Sequence, residues 1–180
     1  MEAARAVPSS SPAVPDRELL ARAGRSPEAF AELYRRHYGR IGTYLLRRTG
    51  DRAATEDLLA EVFLAALRGV RRFRWRGIGF DHWLYRVATR AANRWARRRR
   101  FAPLDAARDV AAAARRDAAD EVTAMLLALP PRLQSVISLH YLEGLPVDEV
   151  ARVLGVRPGT VKSRLSRARD ALRERFGGDA

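Results

Sequence analysis

The chain has 180 residues, 47% of them hydrophobic, and a formal net charge of +13 from 34 cationic and 21 acidic side chains. That length fits one large domain or two small ones with buried cores, and the excess of cations calls for a polyanionic partner, of which nucleic acid is the commonest. Zero cysteines exclude disulfides and thiolate metal sites, and His37, His82 and His140 are too scattered to form a ligand cluster, so no metal and no other cofactor is expected.

Val, Ile and Thr form no alternating runs, which favours an all-α protein over one with strands. Nor does any run approach the ~20 apolar residues of a spanning helix, and the N-terminus lacks a signal-peptide core; both predict a cytoplasmic protein without membrane insertion. Residues 1–25, with Pro8, Ser9, Ser10, Ser11, Pro12 and Pro15, read as a flexible tail that admits a short helix from Asp16. A first long helix is predicted from Ser26, a good N-cap, with Pro27 at the first helical position and Glu28 near the positive end of the dipole. Phe30, Leu33, Tyr34, Ile41, Tyr44 and Leu45 give it an apolar stripe, and Gly50 ends it. Asp51 is placed to cap the next helix, which carries Leu58, Leu59, Val62, Phe63, Ala66 and Leu67 toward a core and Glu56, Asp57 and Glu61 on its other side.

Composition changes abruptly over residues 68–100, where twelve arginines face one acid, Asp81, for a net of +11. Aromatics interleave with arginines from Arg71 to Phe80, and Asp81 is expected to cap a helix bearing Trp83, Leu84, Val87, Ala88, Ala91 and Trp95. Residues 101–120 lack an apolar stripe and read as a linker. The last unit, residues 121–178, contains two short helices joined by a turn at Gly155, the second basic, which is the outline of a helix-turn-helix whose second helix enters the DNA major groove. Val161, Leu165, Ala168 and Leu172 form the buried stripe of that second helix, leaving Lys162, Arg164 and Arg167 outside it. The expected architecture is all-α, two small helical domains joined by a linker: 1–25 tail, 26–100, linker 101–120, and 121–178.

Taken in order, Phe30-Ala31-Glu32-Leu33-Tyr34, Tyr44-Leu45-Leu46-Arg47-Arg48, Glu56 to Leu64 and Trp83 to Ala88 resemble region 2 of extracytoplasmic-function (ECF) sigma factors. Leu129-Pro130, Val136 to Leu145, Glu149-Val150-Ala151, Leu154-Gly155 and Gly159 to Arg169 resemble region 4 of the same family. The resemblance implies a factor that binds core RNA polymerase, directs it to promoter DNA and helps melt it. By the same resemblance Asp57 and Glu61, with Glu56 and Leu58, would dock on the polymerase. Phe73, Trp75, Arg76 and Phe80 would hold the melted strand, where aromatic stacking contributes ~1 to 3 kcal/mol per base. Arg90, Arg94, Arg97 and Arg98 lie on the helix that reads the downstream element, although the family usually has Asn and Asp where this chain has Arg90 and Arg94. Arg157, Thr160, Lys162, Ser163, Arg164 and Arg167 match the positions that contact the upstream element. An anti-sigma factor is a further partner the resemblance implies.

The same residues allow a second reading, a stand-alone helix-turn-helix regulator. It leaves residues 28–100 without a task and supplies no dimer interface. A nuclease would need convergent carboxylates or histidines, whereas the acids here fall on outward helix faces, so no enzyme activity is expected.

Overall fold

A computed structural model of the protein describes residues 14–73, 79–100 and 121–177. The expected linker at 101–120 lies outside the described residues. Among the described residues there are eight α-helices and no strand: α1 (Asp16–Ala23), α2 (Pro27–Thr49), α3 (Arg52–Gly69), α4 (Phe80–Arg100), α5 (Glu121–Leu127), α6 (Pro131–Ile137), α7 (Val147–Leu154) and α8 (Pro158–Phe176).

The α2–α3 hairpin forms where its caps dictate. Ser26 is extended and its hydroxyl accepts the backbone N–H of Ala29 at 3.2 Å, with Pro27 supplying a first position that needs no donor. Gly50 closes α2 at φ 63°, a left-handed conformation that favours glycine, and Asp51 caps α3 by accepting from the Ala54 N–H at 3.0 Å. Leu33, Ile41, Tyr44 and Leu45 of α2 meet Leu59, Val62, Phe63 and Ala66 of α3 and Leu84, Tyr85, Ala88 and Ala91 of α4 in a buried core. Each large aliphatic side chain so buried contributes about 1.5 to 3 kcal/mol. At Gly69 the helices approach so closely that an added Cβ would lie 3.2 Å from the Trp83 ring.

Four expectations are corrected. Residues 16–23 belong to the packed fold, because α1 buries Leu19, Leu20 and Ala23 against α2. Its N-terminus is held by Arg36, whose Nη1 donates to the Val14 carbonyl at 2.5 Å and to Asp16 Oδ1 at 3.0 Å, and by His37, whose Nε2 lies 2.7 Å from Asp16 Oδ2. Leu67, expected on the core side of α3, is exposed; Leu58 is buried as its place on the apolar stripe predicts, which removes it from the docking residues with which the resemblance grouped it. The fourth helix begins at Phe80, so Asp81 sits in its first turn, its Oδ1 2.9 Å from His82 Nδ1. The α-helix that starts at Pro131 changes character at Ser138, where the Glu143 N–H reaches the Ser138 carbonyl at 3.0 Å in a single π turn that the sequence did not signal.

In the C-terminal unit, Leu126, Leu129, Val136, Leu139, Val150, Val161, Leu165 and Ala168 form the core. Gly155 ends α7 at φ 68°, and α8 follows as the second helix of the helix-turn-helix. Pro146, preceding α7, provides no side-chain cap, as a proline must.

The two units pack directly on one another, α2 and α4 against α5, α6 and α7. At the centre of this contact is Arg48, only 2% exposed. Its Nε donates to Gln134 Oε1 at 3.1 Å, its Nη1 to the Tyr44 and Ser135 hydroxyls at 3.2 and 2.9 Å, and its Nη2 to Asn93 Oδ1 and the Pro131 carbonyl at 2.8 and 3.2 Å. Around it, His82 Nε2 lies 2.7 Å from Glu149 Oε2, and the Tyr85 hydroxyl donates to the Glu143 carboxylate. Burial, reinforced by that carboxylate, pushes the Tyr85 phenol well above its ordinary range, so it stays a donor at neutral pH. Arg86 donates to the carbonyls of Arg152 and Val153, closing the C-terminal end of α7 with a cation. Replacing Arg48 by Met keeps the apolar stem and deletes every one of these donors. We expect Arg48→Met to lower stability to urea by about 2 to 4 kcal/mol and to enlarge the radius of gyration in small-angle scattering; unchanged stability and size would show the contact to be dispensable.

Candidate nucleic-acid interface

The acidic face predicted on α3 is present. Glu56, Asp57 and Glu61 are exposed, whereas Leu58, grouped with them in the sequence, points into the core. Glu61 is engaged by a residue expected to serve elsewhere, since its Oε1 accepts from Arg94 Nη2 across the α3–α4 contact. Tyr34, Tyr38, Leu64 and Leu67 add exposed apolar surface on α2 and α3.

The aromatic cluster divides. Trp75 and Arg76 lie outside the described residues. Phe80, expected to hold bases, is instead core: it is 2% exposed, stacks on Trp83 with centroids 5.8 Å apart, and meets the edges of Phe73 at 5.7 Å and His37 at 5.4 Å. Its position as the first residue of α4 turns the ring inward, which the Arg-aromatic spacing did not reveal. Phe73 is half-buried against the same rings. Trp83 is half-buried beneath Gly69, in keeping with its place on the helix stripe.

Along α4, Arg90 and Arg97 are exposed on the side away from Ala88, Ala91 and Ala92, Arg98 is exposed near the C-terminal end, two turns on from Ala91, and Arg99 lies over the Trp95 ring at 5.0 Å. On α8, Arg157, Lys162, Ser163 and Arg167 are exposed while Thr160 and Arg164 are partly covered. Thr160 is the third helical residue, so it falls in the first turn, and Arg157 occupies the cap position without a side-chain cap bond. Ser163 Oγ donates to the Thr160 carbonyl at 3.0 Å, and Arg169 reaches the Tyr141 hydroxyl at 3.1 Å. A helix seated by Val161, Leu165 and Ala168 that presents guanidinium forks outward suits phosphate oxygens and guanine edges alike. Sequence reasoning missed Arg48, His82, Arg86, Glu143 and Glu149, which join the units. Among the described residues no group of histidines and carboxylates is arranged to hold a metal, and no helix is long and apolar enough to cross a membrane.

Residues 33–102 match the family described as Sigma-70 region 2, and residues 119–172 that described as Sigma-70, region 4. The ECF RNA polymerase sigma factor SigM of Mycobacterium tuberculosis is 34% identical over 169 residues, covering 90% of this chain and 85% of that protein. BldN of Streptomyces coelicolor, also named an ECF RNA polymerase sigma factor, is 32% identical over 91% of this chain and 66% of its own length. Among solved structures, CnrH in complex with the cytosolic domain of CnrY aligns with a TM-score of 0.68 at 27% identity, covering 92% of this chain and 99% of CnrH. RpoE of Bartonella quintana, solved with the anti-sigma factor NepR, shares the fold with a TM-score of 0.64 at 19% identity. The chain belongs to the ECF RNA polymerase sigma factors. It therefore acts in transcription initiation, with RNA polymerase and promoter DNA as partners.

The inward turn of Phe80 separates a structural from a base-holding role. We expect Phe80→Ala to lower stability by about 3 to 5 kcal/mol, the cost of an aromatic cavity, as read from thermal or urea unfolding of the free protein. A variant that unfolds like the wild type yet fails to open promoters would return Phe80 to the melted strand.

Proposed function

We propose that the chain docks on core RNA polymerase through Asp57 and Glu61 on α3, holds the melted strand with Phe73, Trp75 and Arg76, and contacts duplex promoter DNA twice. The downstream contact uses Arg90, Arg97 and Arg98 of α4; the upstream contact uses Arg157, Thr160, Lys162, Ser163, Arg164 and Arg167 at the start of α8. The domains performing these tasks are 26–100 and 121–178, with α1 bracing the first. What carries this reading is one juxtaposition: an exposed acidic face on α3 directly beside a cationic α4, in a chain that ends in a basic recognition helix. Acids dock on a cationic protein surface, and cations take phosphates.

Arg90 and Arg94 stand where the family usually has Asn and Asp. With Arg94 held by Glu61, the exposed cation at Arg90 raises phosphate affinity and weakens base discrimination, so the upstream helix carries most of the sequence preference. The protein performs no bond chemistry, acts in the cytoplasm, and is held by an anti-sigma factor, as the relative CnrH is bound by the cytosolic domain of CnrY. A stand-alone helix-turn-helix regulator would leave the acidic face of α3 idle.

Wild-type protein should co-elute with core RNA polymerase in size-exclusion chromatography. Asp57→Arg, at an exposed position, should abolish co-elution while leaving the unfolding curve in place, and retention of the complex would refute docking through α3. Arg167→Ala should weaken upstream-element binding. A loss of about 1 to 3 kcal/mol confined to one base position marks base readout, whereas a uniform loss with the salt slope reduced by about 0.9 marks a phosphate contact. No loss at any salt concentration would remove Arg167 from the interface.

A further inference from the structure

Where α4, α6 and α7 meet the first turns of α8, the two units enclose a cleft of about 320 Å³. Four arginines line it, Arg86 and Arg90 from α4, Arg132 from α6 and Arg164 from α8, and no acid is among its lining residues. Arg86 is committed to the last carbonyls of α7, but Arg90, Arg132 and Arg164 have no hydrogen-bond or ion-pair partner among the described residues. One wall is apolar, formed by Val153 and Leu154. Like charges converging on one cavity repel one another unless the units part or an anion enters. The units are nevertheless held together by Arg48, three of whose five hydrogen bonds cross to Gln134, Ser135 and the Pro131 carbonyl.

We propose that this cleft binds a small anion carrying a chain of phosphates, which bridges Arg90 of the N-terminal unit to Arg132 and Arg164 of the C-terminal unit. Guanidinium groups suit such a ligand because each presents paired N–H donors to two phosphate oxygens. A phosphate chain spreads its charge over several oxygens and answers arginines from both sides at once, which a single compact anion does not. The shared chemistry is the phosphate chain, either inorganic or on a nucleotide whose base lies against Val153 and Leu154. Once bound, it occupies Arg90 and Arg164 and so competes with promoter DNA. Only that competition rests on the proposed function; binding in the cleft stands independently of it.

The test is calorimetric titration of the full chain, without DNA, at about 0.15 M salt, using sodium tripolyphosphate as probe, ATP as a second arm and sulfate as reference. Tripolyphosphate should bind one to one and more tightly than sulfate. Arg132→Ala and Arg164→Ala should each weaken it about five- to tenfold. Arg52→Ala, an exposed arginine on α3 outside the cleft, should leave it unchanged. Tighter binding of ATP than of tripolyphosphate assigns a nucleotide, and equal binding assigns the phosphate chain alone; both support the site. Equal weakening by Arg52→Ala, or affinity no better than for sulfate, shows diffuse counterion binding and overturns it. Promoter duplex is then titrated against the tripolyphosphate complex. Should DNA bind undiminished while the cleft remains filled, the assignment of Arg90 and Arg164 to promoter DNA fails and the cleft survives.

Discussion

A buried guanidinium without an acid beside it must find a neutral oxygen for each N–H, and Arg48 finds them only where the two units touch. Its five donors are met by Gln134, Tyr44, Ser135, Asn93 and the Pro131 carbonyl, residues drawn from both units. Leaving such a charge buried and unsatisfied costs several kcal/mol. The position of α6 against α2 and α4 is therefore tied to one side chain, and the contacts at Tyr85, His82 and Arg86 follow from that placement. The join between the units is rich in hydrogen-bonding groups on both sides, so water can replace the protein partners when they part.

This arrangement bears on how a sigma factor uses its two DNA contacts. Arg90 of α4 and Arg164 of α8 face one cleft when the units are together. Duplex DNA is about 20 Å across and cannot enter a space of a few hundred cubic ångströms. If both arginines contact duplex promoter DNA, as proposed above, the packed form and the promoter-bound form differ in the relation of the units. Polar contacts such as the Arg86 cap on α7 suit a junction of this kind, because each lost bond exposes a group that water readily solvates.

Much of this was legible in the chain. Ser26, Pro27, Gly50 and Asp51 placed the α2–α3 hairpin within a residue, since caps are local chemistry and act through neighbours in sequence. Val161, Leu165 and Ala168 marked the buried stripe of α8 for the same reason: periodicity is a one-helix property. Arg48 was not legible. Beside Arg47 at a helix C-terminus it looks like an ordinary dipole-facing cation, and its partners in the C-terminal unit lie more than eighty residues away. Phe80 was misread because a ring between arginines suits unpaired bases and a core equally; the choice was made by Trp83 and His37, from other turns and another helix. Leu19 and Leu20 were hidden behind a proline-rich stretch, although Asp16 at the head of α1 and Arg36 on α2 are a complementary pair.

The α2–α3 hairpin and the reach of Arg48 also set an order of events during synthesis. Contacts between α1, α2, α3 and α4 close over short loops, whereas Arg48 meets Pro131, Gln134 and Ser135 across 83, 86 and 87 residues. The N-terminal unit can thus condense while the remainder is still being translated. For that interval the guanidinium stays hydrated at the edge of a finished helix. The last long-range hydrogen bonds to form are the ones that seat the C-terminal unit against it.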